Sequence, residues 1–423
     1  MKTRTEWSFR MVSYQIDTEN NGITSRQLMQ NSLLPLLKRR FRTYGYVETS
    51  TSAFQDYDLY TSVTGTVRKH DMIKTIDPSG EVLVLRPDVT IPIAQQAASG
   101  DKSPRRQFYV QDVYRLTDEK NHHRERTQAG VECFGENTHE NDAELVAMAA
   151  HILKDLHFSQ YRIVLSHAAF FKELLSQLPL SPSQAEQLHE LIQSKNLTEI
   201  RPFLADLPID GELAEAVETI PMLYGSPEQV IAKASAISLN AGMRKTINEL
   251  KDVIAVLRAY GAYDSVVLDL GLINDMNYYS GIIFQGYVAG SSKPVLMGGR
   301  YNHLTEQFGK SMPAIGFGCF ADLLLDALGK DGQPPVMENA IQVIIYYDPS
   351  GITHALAIAN KLRDIGFRVV TENRCRRTDL ETPALGTAFI TADQFLLHHR
   401  GKQTEFQTAD ELNNLLEVEM RGN

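Results

Sequence analysis

Leu85-Arg86-Pro87-Asp88-Val89-Thr90, running on into Ile91-Pro92-Ile93-Ala94, is the stretch on which the fold reading turns. Upstream, Met72-Ile73-Lys74-Thr75-Ile76 and Glu81-Val82-Leu83-Val84-Leu85 flank Asp77-Pro78-Ser79-Gly80, a strong turn signal, so a hairpin is predicted over 72–86. Downstream, residues 90–98 are apolar and Ala-rich, which predicts a helix with Pro92 in its first turn. Asp88 therefore sits at a strand-to-helix junction, where the helix dipole favours a carboxylate. Two roles fit it: a cap, or an acceptor for a ligand ammonium.

Outward from that junction the same alternation repeats. Strands are predicted at 107–114 and 129–134, separated by a charged loop, and a helix at 139–157. Near the start, Leu28, Leu33, Leu34, Leu36, Leu37 and Phe41 mark an amphipathic helix over 23–45, followed by a strand over 46–51. Hairpin-linked strands with helices between them point to an α+β domain built on an antiparallel sheet. Residues 168–260 are helical in pattern with Pro-rich interruptions at 179–183 and 202–208, which reads as a helical insertion. Strands return at 265–270 and 282–288, then Gly298-Gly299-Arg300, which reads as a tight turn, and a last helix at 320–328. A Gly/Pro-rich segment at 329–335 is a linker by composition. The expected division is a main domain over 1–330, a linker over 331–340 and a small α/β domain over 341–423, opened by a strand–helix–strand unit.

The 423 residues exceed one ordinary core, and 43% hydrophobic with 22% charged residues is usual for a soluble globular chain. A formal charge of −10 argues against a surface devoted to nucleic acid. Three cysteines, Cys133, Cys319 and Cys375, lack metal-site spacing and suit a reducing cytoplasm. No signal core or membrane-length apolar run is present, so a cytoplasmic location is expected.

Four further groups could carry chemistry. Gln128 and Glu132 lie four apart on a strand and share a face. Glu132, among Val131, Cys133 and Phe134, is costly unless partnered: either an ion pair with Arg124 or Arg126, or an acceptor for a ligand N–H. Tyr278-Tyr279-Ser280-Gly281 reads as an aromatic strand start, with at most one tyrosine facing a given pocket. Arg115, at a strand end, could fork onto a carboxylate or phosphate. The His122-His123 pair is a poor metal site, and no metal or cofactor is expected.

In this order, with a helical insertion and a small C-terminal domain, the segments resemble the histidyl-tRNA synthetases over nearly the whole chain. Residues 85–90 resemble that family's Arg-Pro-Glu-Gly-Thr, and Tyr278-Tyr279-Ser280-Gly281 resembles its Tyr-Tyr-Thr-Gly. Met297 to Leu304 resembles its Gly-Gly-Arg-Tyr-Asp segment, and Arg115 matches the arginine of class II motif 2. The resemblance implies a class II synthetase-like sheet and a histidine pocket made by Asp88, Thr90, Arg115, Gln128, Glu132, Tyr278 and Tyr279. Asp88 with Gln128 would meet the α-ammonium, Thr90 and Arg115 the carboxylate, and Glu132 the imidazole, with a tyrosine of the pair, Tyr278 for preference, lining the ring.

Two departures alter the implied function. Asn274 and Leu323 stand where that family carries arginines facing the amino-acid carboxylate and the ATP phosphates. Adenylate formation relies on preorganised cations. A charge pair near 4 Å at an effective dielectric near 20 is worth about 4 kcal/mol, so each loss would slow the reaction roughly a thousandfold. Residues 341–423 hold nine Lys/Arg against eleven Asp/Glu, a poor anticodon-binding surface. With these departures the chain resembles most closely the regulatory subunits of ATP phosphoribosyltransferase, which are paralogues of the synthetases. That resemblance implies no catalytic residues, a short-form catalytic subunit as partner, L-histidine as feedback effector, a homodimer within a hetero-oligomer, and no tRNA. The competing reading is an active synthetase that charges tRNA.

Overall fold

The computed structural model describes residues 29–63, 67–100, 103–116, 124–273, 278–331, 343–373, 386–399 and 402–420. The chain forms two compact units, Met1–Pro335 and Val336–Asn423.

The first unit is built on a nine-stranded sheet. Its strand order is Val47–Glu48, Arg105–Tyr114, Glu125–Phe134, Ala314–Phe320, Leu296–Arg300, Ile282–Val288, Tyr161–His167, Val266–Asp269 and Tyr224–Gly225. Pairing is antiparallel except for Val47–Glu48 with Arg105–Tyr114 and Tyr161–His167 with Val266–Asp269. The architecture is therefore α+β, as expected.

Antiparallel partners share a face, so the register sorts the side chains. Gln107, Tyr109 and Gln111 stand opposite Glu132, Gly130 and Gln128, and Glu132 and Gln128 stand opposite Gly316 and Phe320. The reverse face carries Phe108, Val131, Cys133, Ile315, Phe317, Phe284 and Leu165, all buried in the larger core. Helix His139–Asp155 covers it. Thr138 caps that helix by accepting from the Asn141 N–H, and it buries a run of alanines and leucines. Helix Thr90–Ser99 and a small sheet of Phe54–Asp56, Val82–Leu85 and Lys74–Ile76 form a second core with Tyr109, Tyr301 and Ala314.

Several expectations need correcting. The helix expected over 23–45 is described from residue 29, as a π turn Met29–Leu33 and an α-helix Leu34–Thr43 that buries Leu36, Leu37 and Phe41. The strand expected over 46–51 pairs only at Val47–Glu48. Gly298-Gly299-Arg300 is no turn. It lies within strand Leu296–Arg300, between two partner strands, where the absence of side chains permits close approach. In the insertion, Pro182 starts a helix rather than interrupts one, and Pro202 sits inside helix Leu197–Ala205. Helix Ala321–Asp331 runs into the segment read as linker.

The second unit is a five-stranded sheet, Val369–Asn373, Val343–Tyr347, Gly386–Ile390, Phe395–His399 and Lys402–Glu405, with helices Ile352–Asp364 and Ala409–Met420. Its first three strands are parallel and buried at Val343, Ile345 and Ala388. Cys375 lies outside the described residues.

Candidate ligand-binding site

The hairpin-to-helix segment is pinned first. Arg86, 5% exposed, donates from Nη1 to the Thr51 and Ser52 carbonyls (2.7 and 2.9 Å) and from Nη2 to the Asp112 carbonyl (2.7 Å). A buried guanidinium spent on three carbonyls leaves the next residues little freedom. Asp88 then performs the capping role: its Oδ1 accepts from the Ile91 N–H at 2.9 Å. Its Oδ2 stands 3.8 Å from Arg115 Nη2. The cap thus uses one oxygen and leaves the other toward Arg115. Burial raises the Asp88 carboxyl, with Arg115 and the helix N–H groups opposing.

Glu132 is 1% exposed at the centre of the sheet face. Thr90 donates to its Oε1 at 2.7 Å, and the Tyr301 hydroxyl donates to its Oε2. Of the two roles open to Glu132, the ion pair with Arg124 or Arg126 does not form. Arg126 lies six positions before Glu132 on the strand, about 20 Å away. Burial pushes the Glu132 carboxyl up to about 8, against the two hydroxyl donors and with help from the Asp88 charge. A carboxyl poised this high can give up its proton when an N–H donor or a cation arrives to face it.

The tyrosine pair departs from the strand reading. Tyr278 and Tyr279 precede strand Ile282–Val288, in a turn, so the two-residue alternation does not apply. Their rings meet edge to face at 4.8 Å, and Tyr278 stacks on Tyr301 at 5.5 Å and 17°. Both belong to the same cluster as Tyr109 and Tyr301. The charges of Asp88 and Glu132 act on both hydroxyls and, with burial, hold them above the usual tyrosine range.

The structure thus brings Asp88, Thr90, Glu132, Tyr278 and Tyr279 into one aromatic, acidic box, with Arg115 at its Asp88 side. Thr90 is spent on Glu132 rather than held for a ligand carboxylate. Arg115 Nε is spent on the Pro87 carbonyl at 2.7 Å. Gln128 shares the Glu132 face and lies over Gly318. Asn274–Asn277 and His122-His123 lie outside the described residues. Leu323 lies on helix Ala321–Asp331 and packs partly against the larger core, so it supplies no cation.

Sequence reasoning missed Tyr301, Tyr109 and the glycine floor. A Cβ at Gly316 would overlap the Glu132 carboxylate, one at Gly318 the Gln128 amide, one at Gly299 the Tyr279 ring, and one at Gly130 the Tyr109 hydroxyl. The available signal was glycine inside strand patterns, which marks close approach of another group.

Among the described residues no cluster of His, Cys, Asp or Glu could hold a metal, and no helix is long and apolar enough to cross a membrane. The box offers two carboxylates, one amide and stacked phenols.

The histidyl-tRNA synthetase family model matches residues 26–323. An ATP phosphoribosyltransferase regulatory subunit from Oceanobacillus iheyensis is 39% identical over 386 residues, spanning 91% of this chain and 94% of that one. The regulatory subunit from Ruminiclostridium cellulolyticum is 32% identical over 79% of this chain and 80% of its own. A crystal structure described as an ATP phosphoribosyltransferase regulatory subunit/histidyl-tRNA synthetase from Bacillus halodurans superposes with a TM-score of 0.70. It is 27% identical, over 84% of this chain and 91% of that one. Histidyl-tRNA synthetase from a Nostoc species, 19% identical, shares the fold with a TM-score of 0.73 over 98% of this chain and 100% of that one. The chain belongs to the ATP phosphoribosyltransferase regulatory subunits, a family with the histidyl-tRNA synthetase fold.

Proposed function

We propose that the chain is a non-catalytic subunit that binds L-histidine in the Asp88–Glu132 box and passes its occupancy to a short-form catalytic subunit in the cytoplasm. The supporting observation is a buried carboxylic acid, Glu132, held by two hydroxyls beside a stacked tyrosine pair, with Asp88 across the box. In this pose the α-ammonium meets Asp88 and Gln128, an imidazole N–H meets Glu132, and Tyr278 and Tyr279 line the ring. Arg115, already shared between Pro87 and Asp88, is a weak carboxylate partner, so affinity falls in the range of roughly micromolar to sub-millimolar. Feedback requires histidine to bind two states of the complex unequally.

The same poverty of cations supports the absence of catalysis. Adenylate formation needs several fixed charges at the transition state, and Leu323 contributes none. The chain is proposed to act as a homodimer, through residues near 23–55, within a larger complex, and to use neither tRNA nor a metal.

The test combines two assays. The chain is co-purified with the short-form catalytic subunit, and condensation of ATP with phosphoribosyl pyrophosphate is followed with and without histidine. Histidine-dependent ATP–pyrophosphate exchange is measured on the chain alone. Association, histidine inhibition and no exchange are expected. Robust exchange would restore the synthetase reading, and inhibition undiminished in Glu132→Gln would move the effector site elsewhere.

A further inference from the structure

The tyrosine wall is not held by its own strand. It is held from Arg300. The Ser280 N–H donates to the Arg300 carbonyl at 2.7 Å, and the Ser280 hydroxyl donates to the same oxygen at 3.3 Å. That hydroxyl also accepts from the Asn302 N–H at 3.0 Å. Gly281 completes the junction. A Cβ there would press on the aliphatic stem of Arg300.

Arg300 is itself immobilised. It is 4% exposed, and its Nε and Nη2 both donate to Asp142 Oδ1, at 2.8 and 2.5 Å. Its Nη1 donates to the Glu136 carbonyl at 3.0 Å and to Asn302 Oδ1 at 3.3 Å. Asn302 Oδ1 in turn accepts from the Ala314 N–H at 2.9 Å. A paired, fully hydrogen-bonded buried guanidinium is costly to displace. Arg300 therefore carries the register of helix His139–Asp155 through the sheet to the segment that bears Tyr278 and Tyr279. The residue after Arg300 is Tyr301, whose hydroxyl reaches Glu132. One rigid point thus places three of the box's tyrosines.

We propose that Ser280 and Arg300 are positioning residues for the ligand box: they set its affinity by holding Tyr278, Tyr279 and Tyr301 against Glu132, without touching the ligand. This inference rests on the histidine-pocket reading. The bifurcated Ser280 hydroxyl makes the claim specific, because threonine preserves that hydroxyl and alanine does not.

The test is calorimetric titration of L-histidine into full-length wild type, Ser280→Ala, Ser280→Thr and Glu132→Gln, with thermal melting of each. Ser280→Ala should bind about five- to tenfold more weakly, the loss of one net hydrogen bond with its Asn302 N–H left unpaired. Ser280→Thr should return to the wild-type value. If Ser280→Ala does not fold, Arg300→Lys serves. It keeps the charge on Asp142, loses the forked geometry, and should also weaken binding about tenfold. Wild-type affinity in Ser280→Ala, or no rescue by Ser280→Thr, overturns the inference while Glu132→Gln still reports on the pocket. Absence of histidine binding in the wild type overturns both.

Discussion

The Glu132 carboxyl makes histidine binding a proton-linked event, and its slope with pH can be worked out. Burial raises this group from 4.5 to about 8. At pH 7 about one tenth of empty sites carry the carboxylate, and at pH 8 about half. If the bound imidazole donates its N–H to the charged oxygen, binding must expel the proton. Above the imidazole's own pKa near 6.5, the apparent affinity should then rise about fivefold from pH 7 to 8. Calorimetry in buffers of differing ionisation enthalpy reads both the affinity and the proton released. Glu132→Gln keeps an acceptor oxygen but has nothing to ionise. Its affinity should be flat over the same range and about tenfold below wild type at pH 8, the difference between a charge-assisted and a neutral hydrogen bond. A flat wild-type profile, or a slope that survives in Glu132→Gln, would refute the assignment of Glu132 as the group facing the ring.

Three further outcomes are expected. Because the folded-state pKa of Glu132 lies above its unfolded value, its contribution to stability is complete below pH 4.5 and is lost as pH rises through about 8. Glu132→Gln should therefore melt higher than wild type at pH 8, by the equivalent of about 4 kcal/mol at 1.36 kcal/mol per pKa unit, and show little gain at pH 5. Gly316→Ala drives a methyl into the Glu132 carboxylate. It should destabilise by about 1–3 kcal/mol and abolish histidine binding, read by melting and titration, whereas wild-type behaviour would mean the floor is looser than the register implies. Sedimentation at micromolar concentration should give a dimer. Val47 and Phe54 lie exposed near the face assigned to that contact, and a strict monomer would contradict it.

The local order of this chain was legible from its residues. The turn at Asp77–Gly80 and the apolar runs on either side define the Lys74–Ile76 and Val82–Leu85 hairpin and the following helix without reference to anything distant. The apolar run over 129–134 located the strand that carries Glu132, with Gln128 at its entry. Tertiary structure decided what those patterns serve. Glycines at 130, 299, 316 and 318 signal close approach without naming what approaches, and register aligns them into a floor with room for a carboxylate, an amide and two phenols. The partners of Glu132 lie 42 residues before it and 169 after it, a separation at which sequence spacing holds no information. The two adjacent tyrosines share one box because a turn, held by Arg300 from 20 residues away, suspends the alternation a strand would impose. Periodicity reports hydrophobic burial one element at a time. A buried acid's partners are chosen only when the sheet brings separate elements to within a hydrogen bond of it.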